Sequence, residues 1–121
     1  LSRHECLMYL RGGSAQSWSF EREAGRKRGE RVAIPVGGHF KANNSEVLRE
    51  AVLGGLGIGL LPDFTATDEL GPGRLVQVLA DWKPVGFFGD QLFAIRPWTR
   101  QVPRAVQCLV NHLRQGFEET T

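Results

Sequence analysis

Residues 43–63, with the sequence NNSEVLREAVLGGLGIGLLPD, decide the fold of this chain. They open with a helix signal, because the Asn43 side chain can accept a hydrogen bond from a first-turn amide. Glu46, three residues later, can reach back and complete a capping box. The apolar residues of the next two turns recur at helical spacing and form one stripe, Val47, Leu48, Ala51 and Val52. The segment therefore predicts an amphipathic helix.

The same segment predicts the end of the helix and a strand after it. Gly54 and Gly55 can close the last turn, because glycine adopts the left-handed conformation without a Cβ clash. Residues 56–61 are apolar and too few for a second helix, so they predict a strand buried on both faces. The glycines within this run indicate close packing of the strand against the helix.

Three short runs before the helix predict strands. Residues 6–10 are continuously apolar, and residues 18–20 and 32–36 are predicted to pair with each other. Pro35 cannot donate a ladder hydrogen bond, which places the last of these strands at an edge or a bulge. Between the paired strands, residues 21–31 hold five basic and three acidic residues. Their mixed signs and neighbouring glycines favour a solvated hairpin tip over a phosphate-binding loop.

The second half of the chain alternates further elements. Residues 62–70 predict a short helix or an irregular segment, and residues 75–79 and 91–95 predict strands separated by an extended connector at 81–90. Apolar residues spaced by three and four between 102 and 117 predict a closing helix with one buried face. Strands that alternate with helices are typical of an α/β fold, here with a mixed sheet.

Composition narrows the class of protein. The chain has 121 residues, enough for one domain, and its 15 basic and 13 acidic residues give a net charge of +2. This balance does not indicate a DNA-binding surface of its own. Cys6 and Cys108 lie in separate apolar runs, so reduced thiols are expected rather than a disulfide. No long apolar run or leader pattern predicts a membrane segment, and a start at Leu1 suggests a piece of a longer protein.

The residue patterns offer no catalytic or metal centre. The three histidines, His4, His39 and His112, stand singly without metal-ligand spacing. Cys6 and His4 are two apart on a strand and do not point at each other, and Ser14 and Ser17 lack a nucleophile-elbow sequence. The glycines at 54–59 come after a helix and before a strand, the reverse of the order that binds a dinucleotide. We therefore expect no enzyme activity, no metal and no cofactor.

The start of the predicted helix is the best candidate for ligand binding. Asn43, Asn44 and Ser45 offer side-chain amides, a hydroxyl and free first-turn backbone donors, and Lys41 is nearby. Such a set can bind a carboxylate or a small polar ligand. The alternative is that these residues only cap the helix, as every helix start requires.

Two segments of the chain, given below by their residue numbers, resemble a known protein family. Residues 44–64 and 70–79 are similar to the effector-binding domain of LysR-type transcriptional regulators, with the helix, glycine, strand and proline order as the most specific part. Weaker support comes from the flanking residues His4-Glu5-Cys6-Leu7, Trp18-Ser19-Phe20, Val36-Gly37-Gly38 and Pro97. The similarity covers essentially the whole chain.

The resemblance implies a periplasmic-binding-protein-like α/β fold with an effector in the cleft between two lobes. Residues 1–89 would form most of the second lobe, and residues 90–121 a crossover strand and C-terminal helix that return to the first. The N-terminal winged helix-turn-helix and most of the first lobe are expected to be absent from this chain. The closing helix should then expose apolar surface that is covered by dimerisation or swapping. By family similarity, the effector-binding residues would be Phe40, Lys41, Asn43, Asn44, Ser45 and Ile58.

The resemblance also implies the partners. We expect a small-molecule effector, a carboxylate or small polar metabolite, and a homodimer or higher homo-oligomer in the cytoplasm. DNA would be bound only through the absent N-terminal domain, and no membrane is involved. A periplasmic solute-binding protein of a transporter shares the two-lobe design and is the alternative. The reduced-looking cysteines and the lack of a leader pattern count against it.

Overall fold

The computed structural model describes residues 1–13, 15–89 and 91–120. Within these ranges the chain forms two compact units, Leu1–Phe88 and Gly89–Thr121. Ser14 lies outside the described residues. The described part of the first unit contains six strands and two helices, in the order β1 (Cys6–Tyr9), β2 (Gln16–Arg22), β3 (Arg31–Val36), β4 (Lys41–Ala42), α1 (Ser45–Leu53), β5 (Ile58–Gly59), α2 (Asp63–Leu70) and β6 (Trp82–Val85).

The strands of the first unit form two three-stranded sheets rather than one mixed sheet. One sheet is parallel in the order β4-β1-β5, and the other is antiparallel in the order β3-β2-β6. The predicted pairing of the second and third strands is confirmed. Pro35 lies on the edge strand β3, as its missing amide donor requires.

Strand β1 is the centre of the first unit. All four of its residues are buried, and their side chains alternate between two apolar clusters. Cys6 and Met8 pack with Trp18 and Phe20 of the antiparallel sheet. Leu7 and Tyr9 pack with the buried face of α1, which includes Leu48 and Ala51. β1 is therefore covered on both faces, which explains its continuously apolar sequence.

The organising helix α1 is present, but its N-cap differs from the prediction by one residue. Asn44, not Asn43, has the extended cap conformation, and its side-chain oxygen accepts hydrogen bonds from Glu46 N at 2.8 Å and Val47 N at 3.2 Å. The prediction of a capping box from Asn43 to Glu46 is therefore wrong. Strand β4 ends at Ala42, so Asn43 lies between the strand and the cap.

The glycine end of α1 behaves as predicted. Gly55 has a φ of +78°, and the amides of Gly55 and Leu56 donate to the carbonyl oxygens of Val52 and Ala51 at 2.9 and 3.1 Å. This is a Schellman arrangement, which satisfies the last carbonyl groups of the helix. The next strand is only Ile58–Gly59 and is half-buried, shorter than predicted. A Cβ on Gly59 would lie 2.7 Å from a methyl of Val52, so close packing against the helix is confirmed.

Two segments of the first unit differ from the prediction. Residues 75–79 form no strand: Leu75 is buried, whereas Val76 and Val78 are exposed and Leu79 has a φ of +58°. Conversely, the predicted connector contains β6, which pairs with β2 despite Pro84 because it is an edge strand. Before the unpaired segment, Arg74 forms an ion pair with Glu69 at the end of α2.

The second unit contains one helix among its described residues, α3 (Arg104–Thr120). It begins directly after Pro103 and confirms the predicted closing helix. The predicted buried face is wrong, because the side chains of residues 104–119 are exposed or half-buried. The strand expected at residues 91–95 is not formed, and Leu92, Phe93 and Ile95 are exposed. A strand is stable only when its backbone groups find a neighbouring strand, and none of the described residues pairs with this segment. Apolar side chains of α3 are also exposed, as expected, including Leu109 and Leu113.

Candidate functional site

The best candidate site lies at the carboxyl ends of two parallel strands. β1 and β4 pair in parallel with Tyr9 opposite Ala42, so both strands end at the same edge of the sheet. Arg11 lies just beyond the end of β1, and Asn43 and Asn44 lie beyond the end of β4 and lead into α1. Open α/β sheets bind ligands at such carboxyl edges. We call this region the α1 edge and define it by Tyr9, Arg11, Gln16 and residues 43–45.

A hydrogen bond joins the two elements of the α1 edge. The hydroxyl groups of Tyr9 and Ser45 are 2.5 Å apart. Tyr9 is buried, with 9% of its surface exposed, and Ser45 is half-buried. The start of α1 is therefore held against the end of β1 by a contact that is largely shielded from solvent.

Arg11 presents a positive charge at the α1 edge on an aromatic support. Its guanidinium carbon lies 4.1 Å from the centre of the Phe87 ring and 6.0 Å from that of Tyr9. Phe87 is itself packed against Tyr9 and Phe88, with ring centres 5.3 and 4.9 Å away. The Arg11 side chain is exposed, and no carboxylate of the described residues lies within ion-pair distance of it. Its Nη2 donates one long hydrogen bond, to the Phe87 carbonyl oxygen at 3.5 Å. A stacked guanidinium with no carboxylate partner retains other N–H donors for a ligand carboxylate.

Gln16 is held at the same edge by a hydrogen bond that its side chain donates. Its Nε2 donates to the Tyr9 carbonyl oxygen at 2.7 Å, which fixes the side chain beside the end of β1. Its Oε1 atom is buried and has no hydrogen-bond partner within the part of the chain that the structure describes. An acceptor that is shielded from water and unsatisfied is costly, and the same shielding keeps it out of a ligand's reach in this arrangement.

The structure brings together most of the residues that the sequence predicts for the site. Asn43 is exposed directly beyond β4, Asn44 uses its side-chain oxygen as the helix cap, and Ser45 bonds Tyr9. Lys41 is exposed on β4. Phe40 is half-buried and packs against the apolar cluster of Leu7, Tyr9, Leu48 and Ala51.

Ile58 does not lie with the other predicted residues. It pairs with Cys6 at the beginning of β1, whereas the α1 edge is at the other end of that strand, beyond Tyr9. Its side chain packs against the cluster that includes Trp18 and Phe20. Strand β5 thus places Ile58 in the core rather than at the carboxyl edge.

Sequence reasoning did not select Tyr9, Arg11, Gln16 or Phe87. One signal could have found Arg11, because it is a basic residue just after an apolar strand. In a parallel sheet that position lies at the ligand-binding edge. No local signal marks Gln16 or Phe87. Gln16 reaches the α1 edge through a side-chain bond to Tyr9, and Phe87 through a contact with Arg11, which is 76 residues away.

The first unit also has a concave surface, one of whose lining residues is Phe87. It is an open hollow of about 430 Å³ on the antiparallel sheet, lined by Ser17, Ser19, Arg31, Val32, Ala33, Val85, Gly86 and Phe87. The charged side chain in this lining, Arg31, is already paired with Glu21 at 2.7 Å. The hollow therefore offers few unpaired polar groups for recognition, and the α1 edge is the stronger candidate.

Other chemistry has little support in the geometry. Among residues 1–13, 15–89 and 91–120, no three metal-ligating side chains come together. Both cysteines are free, Cys6 buried and Cys108 exposed. Burial raises the pKa of the Cys6 thiol, which disfavours the reactive thiolate. Within the same described ranges, no helix has the length and apolar character needed to span a membrane.

An α/β unit with a polar, positively charged site at the carboxyl edge of a parallel sheet defines a class of ligand-binding proteins. Comparison with known proteins identifies the family within that class. The model of the LysR substrate binding domain matches residues 1–118, so this chain belongs to the LysR family as an effector-binding domain. Its fold is that family's periplasmic-binding-protein-like α/β fold.

Relatives and solved structures agree with this assignment. The chain is 32% identical over 95% of its length to the HTH-type transcriptional regulator PtxR of Pseudomonas aeruginosa, of which it covers 34%. It is 29% identical over 95% of its length to the probable HTH-type regulator LtrA of Klebsiella pneumoniae, of which it covers 36%. The full-length virulence activator AphB of Vibrio cholerae shares 34% identity with a TM-score of 0.55, over 68% of this chain and 26% of that one.

The chain thus spans about a third of the length of the curated relatives it matches. These relatives are transcriptional regulators and not enzymes. The alternative of a transporter's solute-binding protein is not favoured by them.

Proposed function

We propose that this chain senses a small carboxylate at the α1 edge and thereby regulates DNA binding by another part of its parent protein. The observation that carries the proposal is Arg11, a guanidinium on an aromatic support at the carboxyl edge of a parallel sheet, without an ion-pair partner among the described residues. Arginine binds carboxylates through two parallel hydrogen bonds, which provides orientation as well as affinity.

The neighbouring groups would complete recognition of such a ligand. The Asn43 side chain is exposed and offers both an amide donor and an acceptor. Asn44 would contribute only its amide donor, because its oxygen is occupied by two backbone amides of α1. Gln16 would fix the end of β1 through its hydrogen bond to the Tyr9 carbonyl oxygen. Lys41 would add positive charge. Phe40 would support the site from below by packing against the apolar cluster of Leu7, Tyr9, Leu48 and Ala51. Ile58 is not part of the proposed site.

The wider architecture belongs to the same proposal. Residues 1–89 would form most of the second lobe, and residues 90–121 would contribute α3 to the first. The effector would bind in the cleft between the lobes, and its greater affinity for one arrangement of the lobes would shift the population of DNA-binding states. The parent would act in the cytoplasm as a homodimer or higher oligomer and bind DNA through a separate N-terminal domain.

The proposal is tested by thermal melting of the chain with matched pairs of ligands. Each small aliphatic or aromatic carboxylate is compared with its neutral amide. A ligand at one hundred times its dissociation constant stabilises by about 2.7 kcal/mol, which melting resolves easily. We expect carboxylates to raise the melting temperature and their amides to leave it unchanged.

The matched variants are Arg11→Gln and Arg3→Gln, both at exposed arginines. Arg11→Gln should abolish the response to carboxylates, whereas Arg3→Gln should retain it. A full response in Arg11→Gln, or equal stabilisation by amides, would show that carboxylate recognition by Arg11 is wrong.

A further inference from the structure

The hairpin between β2 and β3 carries a cluster of charged residues. The sequence alone does not show which of these charges form ion pairs. The sequence of residues 21–31 mixes five basic with three acidic residues. In the structure two of the acidic residues are paired near the base of the hairpin. Glu21 binds Arg31 at 2.7 Å, and Glu30 binds Arg22 at 3.5 Å. The charges at the base therefore compensate one another.

The tip of the hairpin has no such compensation. Arg26, Lys27 and Arg28 are consecutive and exposed, and no carboxylate of the described residues forms an ion pair with any of them. Glu23, near the tip, is the one acidic residue of the cluster outside these pairs. The tip thus carries three adjacent cations on a chain whose total net charge is only +2.

The backbone holds these three cations in a defined turn. Arg28 N donates to the Gly25 carbonyl oxygen at 3.2 Å, and Glu30 N donates to that of Lys27 at 3.0 Å. Gly25 and Gly29 bracket the three residues with φ values of +84° and +87°, a conformation that other residues rarely adopt. At the base, the Arg22 guanidinium carbon lies 4.4 Å from the centre of the Trp82 ring, which anchors β2 to β6. The tip is consequently a structured projection.

We propose that this tip, residues 26–28, contacts the phosphate backbone of duplex DNA without reading its sequence. Three cations in one turn repel each other in isolation, and a polyanion relieves that repulsion. Duplex DNA presents about one charge per 1.7 Å, dense enough to engage adjacent side chains, and arginine suits phosphate oxygens. No aromatic residue lies between residues 23 and 30 to stack on bases, which favours backbone contact alone.

This proposal goes beyond the proposed function, because there DNA is bound only by a separate domain. It requires only that another part of the parent protein binds DNA. That binding would hold a duplex near the tip at high local concentration. The contact would add non-specific affinity that depends strongly on salt.

The test measures binding of the whole chain to a fluorescent mixed-sequence duplex by anisotropy at 50 to 200 mM salt. Neutralising three phosphates gives a slope of about −2.7 for log K against log salt, or roughly a 40-fold loss of affinity over that range. The triple variant Arg26→Ser, Lys27→Ser, Arg28→Ser should lose both the binding and the slope. The control Arg3→Ser, Arg100→Ser, Arg104→Ser removes the same charge elsewhere and should retain them.

Two results would overturn the proposal. Equal losses in the two triple variants would show that only total charge matters. Equal binding of poly-glutamate and DNA by the tip would show that phosphate is not preferred and that an acidic protein fits as well. The melting response to carboxylates should be unchanged in the tip variant, so this test is independent of the ligand site.

Discussion

The hydrogen bond between Tyr9 and Ser45 provides the sharpest test of how the site is built. Tyr9→Phe and Ser45→Ala each remove one hydroxyl and leave the partner in a largely shielded position. A net hydrogen bond contributes about 1 kcal/mol to folding, so each single variant should lose about that much. The double variant should lose little more than either single variant, because the interaction is already absent in both.

The assay is urea unfolding of the four proteins, monitored by tryptophan fluorescence. Trp18 is 2% exposed in the first unit and should report its unfolding, whereas Trp98 is 82% exposed and should change little. The expected coupling energy is about 1 kcal/mol, and in melting each 1 kcal/mol corresponds to a shift of roughly 4–8 °C for a unit of this size.

A control cycle pairs Tyr9→Phe with Ser19→Ala, a serine on β2 with no bond to Tyr9. Here the two effects should add within about 0.5 kcal/mol. Additivity in the Tyr9 and Ser45 cycle as well would refute the link between β1 and α1, and with it the geometry of the α1 edge.

Three further predictions concern individual residues. Asn44→Ala should destabilise by about 1 kcal/mol through loss of the helix cap, whereas Asn43→Ala should leave the urea midpoint nearly unchanged. Gly57→Ala should cost roughly 1–3 kcal/mol because its Cβ would lie 2.3 Å from a backbone oxygen just before β1, whereas Gly12→Ala meets no atom within 4 Å. The hydrogen bond from its arginine partner lowers the pKa of Glu69 from 4.5. Its stabilising contribution should therefore be complete above pH 4.5 and be lost as the pH falls through the lowered value, so Glu69→Gln should flatten the acid limb of stability.

Each of these predictions has a clear contrary result. A larger loss for Asn43→Ala than for Asn44→Ala would place the helix cap at Asn43. Equal urea midpoints for the Gly57→Ala and Gly12→Ala variants would mean that the backbone near β1 shifts at little cost to accommodate the added Cβ. Identical pH profiles for Glu69→Gln and the parent chain would show that this ion pair does not contribute to folding.

Local sequence signals correctly predict the elements that local forces stabilise. The helix at 45–53, its glycine end and the closing helix all result from apolar spacing and turn chemistry within a few residues. The predicted cap is wrong by one residue because Asn43 and Asn44 are equally good caps in isolation. The structure places the cap at Asn44, whose oxygen accepts from two first-turn amides.

Strand signals are less reliable because a strand depends on its partner. Residues 75–79 and 91–95 have strand-like sequences, yet neither forms a strand among the described residues. Trp82–Val85 contains a proline and is predicted as a connector, yet it pairs with β2. Intrinsic preference for strand mostly reflects fit to a neighbouring strand, which the local sequence does not specify.

Local sequence was sufficient to define α1, although with its cap one residue too early, and so to locate half of the candidate site. Long-range pairing was needed to show that Arg11 and Gln16 complete it. They reach the α1 edge because β1 pairs in parallel with a strand more than thirty residues away, and because Gln16 bonds the last residue of β1. Parallel pairing brings carboxyl ends together whatever their distance in sequence, and no local preference encodes that contact.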